Sequence, residues 1–263
     1  MIEALTEPKT WLFALFSALD NVPNGLTNQR QIIVSSFGFS TLQTTLLGCV
    51  DGVVEITTIW TGVRIAARYD SRAYVAFAYF IPNVLGTILV NALPWSDKAG
   101  LLFSVWLTGV GTTGFVISLA WVSAVTAAHT GHVTTNTIMF SAYVRPPLTP
   151  LPLPPRSSHV STSLATPCIG NCAGPFMWQA KHKPRNRVPW TVIGICYACC
   201  MRLMLAIRLH LARENRRRDA EHGYDDVFVE RPAADSGKVE RVRVDKEFLD
   251  LTDRQNRDLR YVL

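Results

Sequence analysis

Trp11-Leu-Phe-Ala-Leu-Phe-Ser-Ala-Leu-Asp20-Asn-Val-Pro-Asn-Gly-Leu-Thr-Asn28 is the stretch whose reading decides the fold. Its first half is apolar on every face, as a helix in hydrocarbon would be. Its second half sets Asp20, Asn21, Asn24 and Asn28 at the same depth, with Pro23 and Gly25 loosening the helix between them. Polar side chains and helix breakers are tolerated inside a bilayer only where neighbouring helices or a water-filled cavity satisfy them. The stretch therefore predicts a cavity-lining membrane helix. A soluble amphipathic helix with its C-cap is the plainer alternative, and the runs that follow argue against it.

A spanning helix needs about 20 mainly apolar residues, and working outward the chain offers six such runs. The first extends from the opening stretch to Ile33 and closes at Gly38 and Ser40. The second runs from Leu42 to Ala67 and contains Asp51 and Glu55, four apart and so on one face. The third spans Ala73 to Leu93, with Pro82 and Asn83 predicting a kink. The fourth, Ala99 to Ala128, carries Gly109, Gly111 and Gly114, small enough for close helix approach. The fifth begins at Thr134 but meets Pro146, Pro147, Pro150, Pro152, Pro154 and Pro155, a density no helix accepts. Apolar character resumes at Cys168, and the sixth run covers Val188 to Leu211. The expectation is an all-α membrane protein. Residues 1–143 hold helices one to five (first part) and 144–167 a disordered Pro-rich insert. Residues 168–213 complete helices five and six, and 214–263 form a polar cytoplasmic tail, with a short helix near Asp245–Arg257.

Charge supports the same organisation. The 263 residues average 17% charged and 48% hydrophobic with net charge +6, but the charges gather in short loops and after the last apolar run. That is a membrane-flank distribution, not the basic stripe of a nucleic-acid binder. Glu3 and Glu7 stand where a secretory signal would be basic. Arg64, Arg68 and Arg72 in one loop, and Arg208, Arg213 and Arg216 to Arg218 after the sixth run, place both termini in the cytoplasm. Lys181, Lys183, Arg185 and Arg187 vote for the other side. Cys196 and Cys199 have metal or redox spacing, but without a second ligand pair they read as small packing residues, so no metal or cofactor is expected. No catalytic constellation or phosphate loop supports an enzyme.

Several motifs resemble one family. Pro8-Lys-Thr-Trp-Leu12 with Asn21-x-Pro-Asn-Gly-Leu-Thr-Asn28 resembles the seventh helix of fungal allantoate-permease-type transporters. These are anion:cation symporters of the major facilitator superfamily. Phe37-Gly-Phe-Ser-Thr-Leu-Gln-Thr-Thr-Leu-Leu-Gly48 resembles the start of the eighth helix, and Ala92-Leu-Pro-Trp-Ser-Asp-Lys-Ala-Gly-Leu-Leu102 the link from ninth to tenth. Gly170-Asn-Cys-Ala-Gly-Pro175, Arg213-Glu-Asn-Arg-Arg-Arg-Asp219 and the closing Arg260-Tyr-Val-Leu263 add to the likeness. The resemblance implies the C-terminal six-helix half-bundle of a twelve-helix carrier, with an N-terminal half or a second copy needed as partner. Residues 144–167 then interrupt the family's eleventh helix, as a retained intron or a genuine loop would.

The implied activity is proton-coupled transport of a small organic anion such as allantoate, ureidosuccinate or a vitamin-type carboxylate, across the plasma membrane. A truncated, non-transporting membrane protein is the alternative. Amide donors can hold an anion without burying an unpaired charge, which nominates Asn24, Asn28, Gln43, Asn136 and Asn171 for the substrate. Each could equally make an interhelical hydrogen bond that only packs helices. Asp20, Asp51 and Glu55 are candidates for carrying the coupling proton. Arg64, Arg68, Asp70 and Arg72 resemble the superfamily's gating-loop motif, although positive-inside topology alone also predicts arginines there.

Overall fold

Pro23 lacks the amide hydrogen a continuous helix needs, and in a computed structural model of the chain it divides the first apolar stretch in two. The structure describes residues 6–69, 71–126, 133–137, 139, 177–179, 182, 185–220, 228–232, 239–243 and 260–263. Helix α1 (Pro8–Asn21) ends just before Pro23 and α2 (Asn24–Ser36) starts just after it. A turn follows at Gly38, whose φ of +87° suits a residue without a Cβ. Helix α3 (Thr41–Tyr69) returns, and α4 (Arg72–Ala92) crosses again with Pro82 inside it. The fourth run is also divided. Helix α5 (Lys98–Leu107) and α6 (Gly111–Ala124) meet at a tightened turn where Gly109 donates to the Trp106 carbonyl and Val110 to Leu107. Helix α7 (Arg187–Ala220) is the last and longest.

Among the described residues four stretches are long and apolar enough to cross a membrane: Thr41–Tyr69, Arg72–Ala92, Lys98–Ala124 and Arg187–Ala220. Neither piece of the broken first stretch reaches that length alone, and most of the fifth run, with its Pro-rich insert, lies outside the described residues. The tail holds more structure than its composition suggested. Strands β1 (Phe228–Pro232) and β2 (Val239–Arg243) pair antiparallel, with Phe228 opposite Arg243 and Pro232 opposite Val239. Short strand-forming runs separated by Asp235, Ser236 and Gly237 carry the hairpin signal that the charged composition masked. The helix expected near Asp245–Arg257 lies outside the described residues.

Helix α4 is the hub, packing against α3, α5, α6 and α7. Its close approach to α5 and α6 depends on glycine. A Cβ on Gly86 would lie 2.6 Å from the Ser104 carbonyl, and one on Gly111 would overlap the Asn83 amide. The aromatic core runs through edge-on pairs, Phe13 with Trp121 at 5.4 Å and Phe16 with Phe80 at 5.9 Å. By contrast α3 is peripheral: only 6% of its apolar window is buried, and Leu42, Leu46, Val53, Ile56 and Trp60 are exposed.

Basic side chains tie down both ends of the bundle. At one end Lys9 donates to the Val125 carbonyl, Arg72 to the Ala120 carbonyl and Arg218 to the Tyr261 hydroxyl. At the other, Lys98 reaches the Gly38 carbonyl and Arg185 the Leu93 carbonyl. Helix α6 ends at the first and α7 begins at the second.

Candidate functional site

One cavity of about 130 Å³ lies between α2, α3 and α5, lined by Arg30, Gln31, Val34, Thr44, Leu47, Gly48, Asp51, Val105 and Trp106. Arg30 extends from α2 and its Nη1 donates to Asp51 Oδ2 on α3. The two side chains are 14% and 16% exposed. At 1.5 Å per residue Asp51 lies ~15 Å along α3 from Thr41, and Gly109 ~16 Å along the fourth stretch from Lys98. Either distance is about half the ~30 Å thickness of a hydrocarbon layer.

Local structure seats this pair. The α5–α6 break presents Gly109, itself buried, to the pair: a Cβ there would lie 3.2 Å from Asp51 Oδ1 and 3.3 Å from Arg30 Nη1. The missing side chain therefore lets both charged groups rest on the turn. The pair is also incompletely used. Arg30 Nε and Asp51 Oδ1 are buried and find no hydrogen-bond partner among the described residues. A guanidinium bound through one nitrogen keeps the rest of its fork for a second acceptor, and carboxylates fit that fork with two bonds.

The residues nominated from sequence are dispersed. Asp51 lines the cavity. Glu55, one turn farther along α3, is half-buried, and its backbone carbonyl accepts from Thr58 Oγ1. Asp20 is half-buried at the end of α1, within electrostatic range of Tyr197 and Cys200 on α7. Asn24 and Asn28 occupy the first turns of α2, but their side chains lie outside the described residues, as does Asn171. Asn136 is half-buried in the helical turn of residues 133–137.

Gln43 is exposed and does not line the cavity. Its Oε1 accepts from the Ser40 amide at 3.0 Å while Ser40 Oγ accepts from the Gln43 amide at 3.3 Å, the reciprocal box that opens α3. Of the loop residues, Arg64 stacks over Trp60 at 5.2 Å and Arg68 is exposed. Arg72 ties α4 to α6 through the Ala120 carbonyl at 2.9 Å, and Asp70 lies outside the described residues. Among the described residues Cys196, Cys199 and Cys200 are free thiols on α7.

Sequence reasoning passed over Arg30. The signal was present: the first run was carried to Ile33, which places an arginine inside a predicted span, and an aspartate sits inside the next span. Intramembrane charges of opposite sign on consecutive helices are natural partners. It also passed over Tyr261, which lies between Lys9 (4.7 Å from the ring centre) and Arg218 (4.4 Å), while its backbone carbonyl accepts from Asn215.

No family model and no solved structure matches the chain. Curated relatives match almost all of it. It is 27% identical over 273 residues to the allantoate permease of Saccharomyces cerevisiae, covering 100% of this chain and 44% of that one. It is 25% identical over 277 residues to the high affinity cysteine transporter of the same yeast, covering 99% and 47%. An MFS-type transporter of Penicillium expansum is 26% identical over 265 residues, covering 98% and 46%. The chain thus spans less than half the length of these relatives. Across its whole length it is related to the C-terminal half of fungal major facilitator transporters, allantoate permease among them.

Proposed function

We propose that the chain forms one half of a membrane carrier that moves a small organic anion together with a proton. The observation that carries this reading is a positively charged side chain held at mid-depth beside a cavity, in a chain related throughout to transporters. Relatives named for allantoate and for cysteine suggest a small carboxylate-bearing substrate, with ureidosuccinate and vitamin-type carboxylates in the same class. Asn24, Asn28, Asn136 and Asn171 remain the proposed amide donors, and Gln43 the weakest of that set because its side chain already caps α3. Asp20, Asp51 and Glu55 remain the proposed proton carriers. Arg64, Arg68, Asp70 and Arg72 are the proposed gating loop, supported by the tie from Arg72 to α6.

A six-crossing arrangement has topological support. Helix α6 ends beside Lys9 and α7 starts beside Leu93, at opposite ends of the bundle, as one further crossing between them would require. Ser17 Oγ donates to the Met139 carbonyl, which puts residue 139 beside the middle of α1, on such a path. With both termini at the arginine-rich end, the positive-inside tendency puts them in the cytoplasm, and the plasma membrane is the proposed location. The exposed face of α3 is available to lipid, to an N-terminal half or to a second copy.

Uptake of labelled allantoate into proteoliposomes with an acidic exterior tests the proposal. Accumulation that collapses with a protonophore supports it. Absence of uptake with properly inserted protein supports the second reading, a truncated and non-transporting chain.

A further inference from the structure

We infer that Asp51 is a built-in stand-in for the substrate's carboxylate, and that an incoming carboxylate takes its place on Arg30. This rests on the carrier reading above and names the atoms of its anion site. Asp51 holds Arg30 through a single nitrogen, Nη1 to Oδ2, while Arg30 Nε is buried without a partner among the described residues and Asp51 Oδ1 likewise. A carboxylate approaching through the cavity can bond Nε and a terminal nitrogen together. It makes two charge-assisted bonds to Arg30 where Asp51 makes one.

Charge conservation fixes what happens to Asp51. Before exchange the site holds one guanidinium and one carboxylate and is neutral. Afterwards Arg30 is neutralised by the substrate, so a charged Asp51 would be an unpaired anion at mid-depth, which is expensive. Asp51 therefore leaves Arg30 as the neutral acid, a carboxylate oxygen taking one proton from bulk hydronium or a buffer acid, which is left as water or the conjugate base, as the Arg30 contact is released. One carboxylate and one proton are taken up together, and the site is neutral throughout. Among the described residues, Tyr197 on α7 is the titratable group within electrostatic range of Arg30 from that helix, and Asp20 at the end of α1 is in turn within range of Tyr197. Arg30 is the sole charged lining residue of α2, α5 supplies Val105 and Trp106, the α5–α6 turn supplies Gly109, and Glu55 is the next titratable group on α3 itself.

The test is calorimetric titration of the purified chain in mild detergent with allantoate, run at one pH in two buffers of different ionisation enthalpy. The difference between buffers counts protons taken up per anion. Wild type should bind with close to one proton. Asp51→Asn should bind at least as tightly with no proton uptake. The double variant Arg30→Gln/Asp51→Asn leaves no buried charge to unfold the protein, and it should bind at least tenfold more weakly than Asp51→Asn. If the double variant binds as well as Asp51→Asn, Arg30 is not the anchor, and the inference falls while the carrier reading stands. Wild-type binding without proton uptake overturns the exchange in the same way. If neutral allantoin binds as well as allantoate, the anion reading itself fails, and the inference with it.

Discussion

Removing one member of the Arg30–Asp51 pair strands the other at mid-depth, and the cost can be stated in advance. Arg30→Leu leaves Asp51, 16% exposed, with no cation; Asp51→Leu leaves Arg30, 14% exposed, with no anion. Breaking a buried ion pair from one side costs about 3–5 kcal/mol, and a lone Arg or Asp at the centre of a membrane helix costs about 2.5–3.5 kcal/mol on insertion scales. The two figures agree near 3 kcal/mol, a little over a hundredfold in the folding equilibrium. The double variant Arg30→Leu/Asp51→Leu removes both charges, and replacing a buried pair with apolar side chains is often neutral or stabilising. Each single variant should therefore lose about 3 kcal/mol while the double stays within about 1 kcal/mol of wild type. Titration with SDS in mixed micelles, followed by helical circular dichroism, reads all four corners of the cycle. A coupling energy under about 0.5 kcal/mol, the level at which independent sites add, would refute the pair and the site built on it.

Three further outcomes follow from the packing. Gly111→Ala pushes a methyl into the Asn83 amide and should cost about 1–3 kcal/mol in the same titration, a loss that adding Asn83→Ala relieves. Burial first, with help from Glu7 and Glu214 and against Arg218, pushes the Tyr261 phenol up to about 12 from its usual 10. Because the folded value is the higher one, that stability is complete below pH 10 and is lost as pH rises towards 12. Wild type should then lose about 2–3 kcal/mol that Tyr261→Phe does not lose, measured by pH-jump unfolding. Gln43→Ala breaks the box with Ser40 and should cost about 1 kcal/mol of stability with allantoate affinity unchanged. A tenfold loss of affinity would make Gln43 a full member of the donor set and not its weakest.

What the sequence made legible was what depends on local patterning. Apolar runs announced the long helices of the fourth, third, second and sixth stretches, and Pro23 announced a break that falls between Asn21 and Asn24. Gly109, Gly111 and Gly114 were read as close-packing residues, and Gly111 and Gly114 are, against Asn83 and Phe80. Gly109 does something else, giving the ion pair its seat at the α5–α6 turn. Long-range pairings were not legible. Gln43 looks like a substrate amide until Ser40 is seen to claim it. Arg30 shows no partner within its own stretch until Asp51, 21 positions on, is seen beside it. Tyr261 gives no local sign that it will sit between Lys9 and Arg218. Periodicity fixes which face a residue is on; it does not say which helix will face it.

The energetics of the pair bear on why it is there. A chain selected only to fold would gain by placing leucine at both positions, because two apolar side chains at mid-depth cost nothing to desolvate. Arg30 and Asp51 instead sit where α5 breaks, beside the cavity, with one donor and one acceptor left unused. Broken helices at membrane depth are found where the backbone lines a cavity, and in carriers such interruptions mark the substrate site. The first stretch breaks at Pro23, and α2, which carries Arg30, begins there. The divided first and fourth stretches and the charged pair between them are thus one feature of the chain. If the double leucine variant proves as stable as wild type, stability is excluded as the reason for the pair, as the proposed carboxylate site on Arg30 requires.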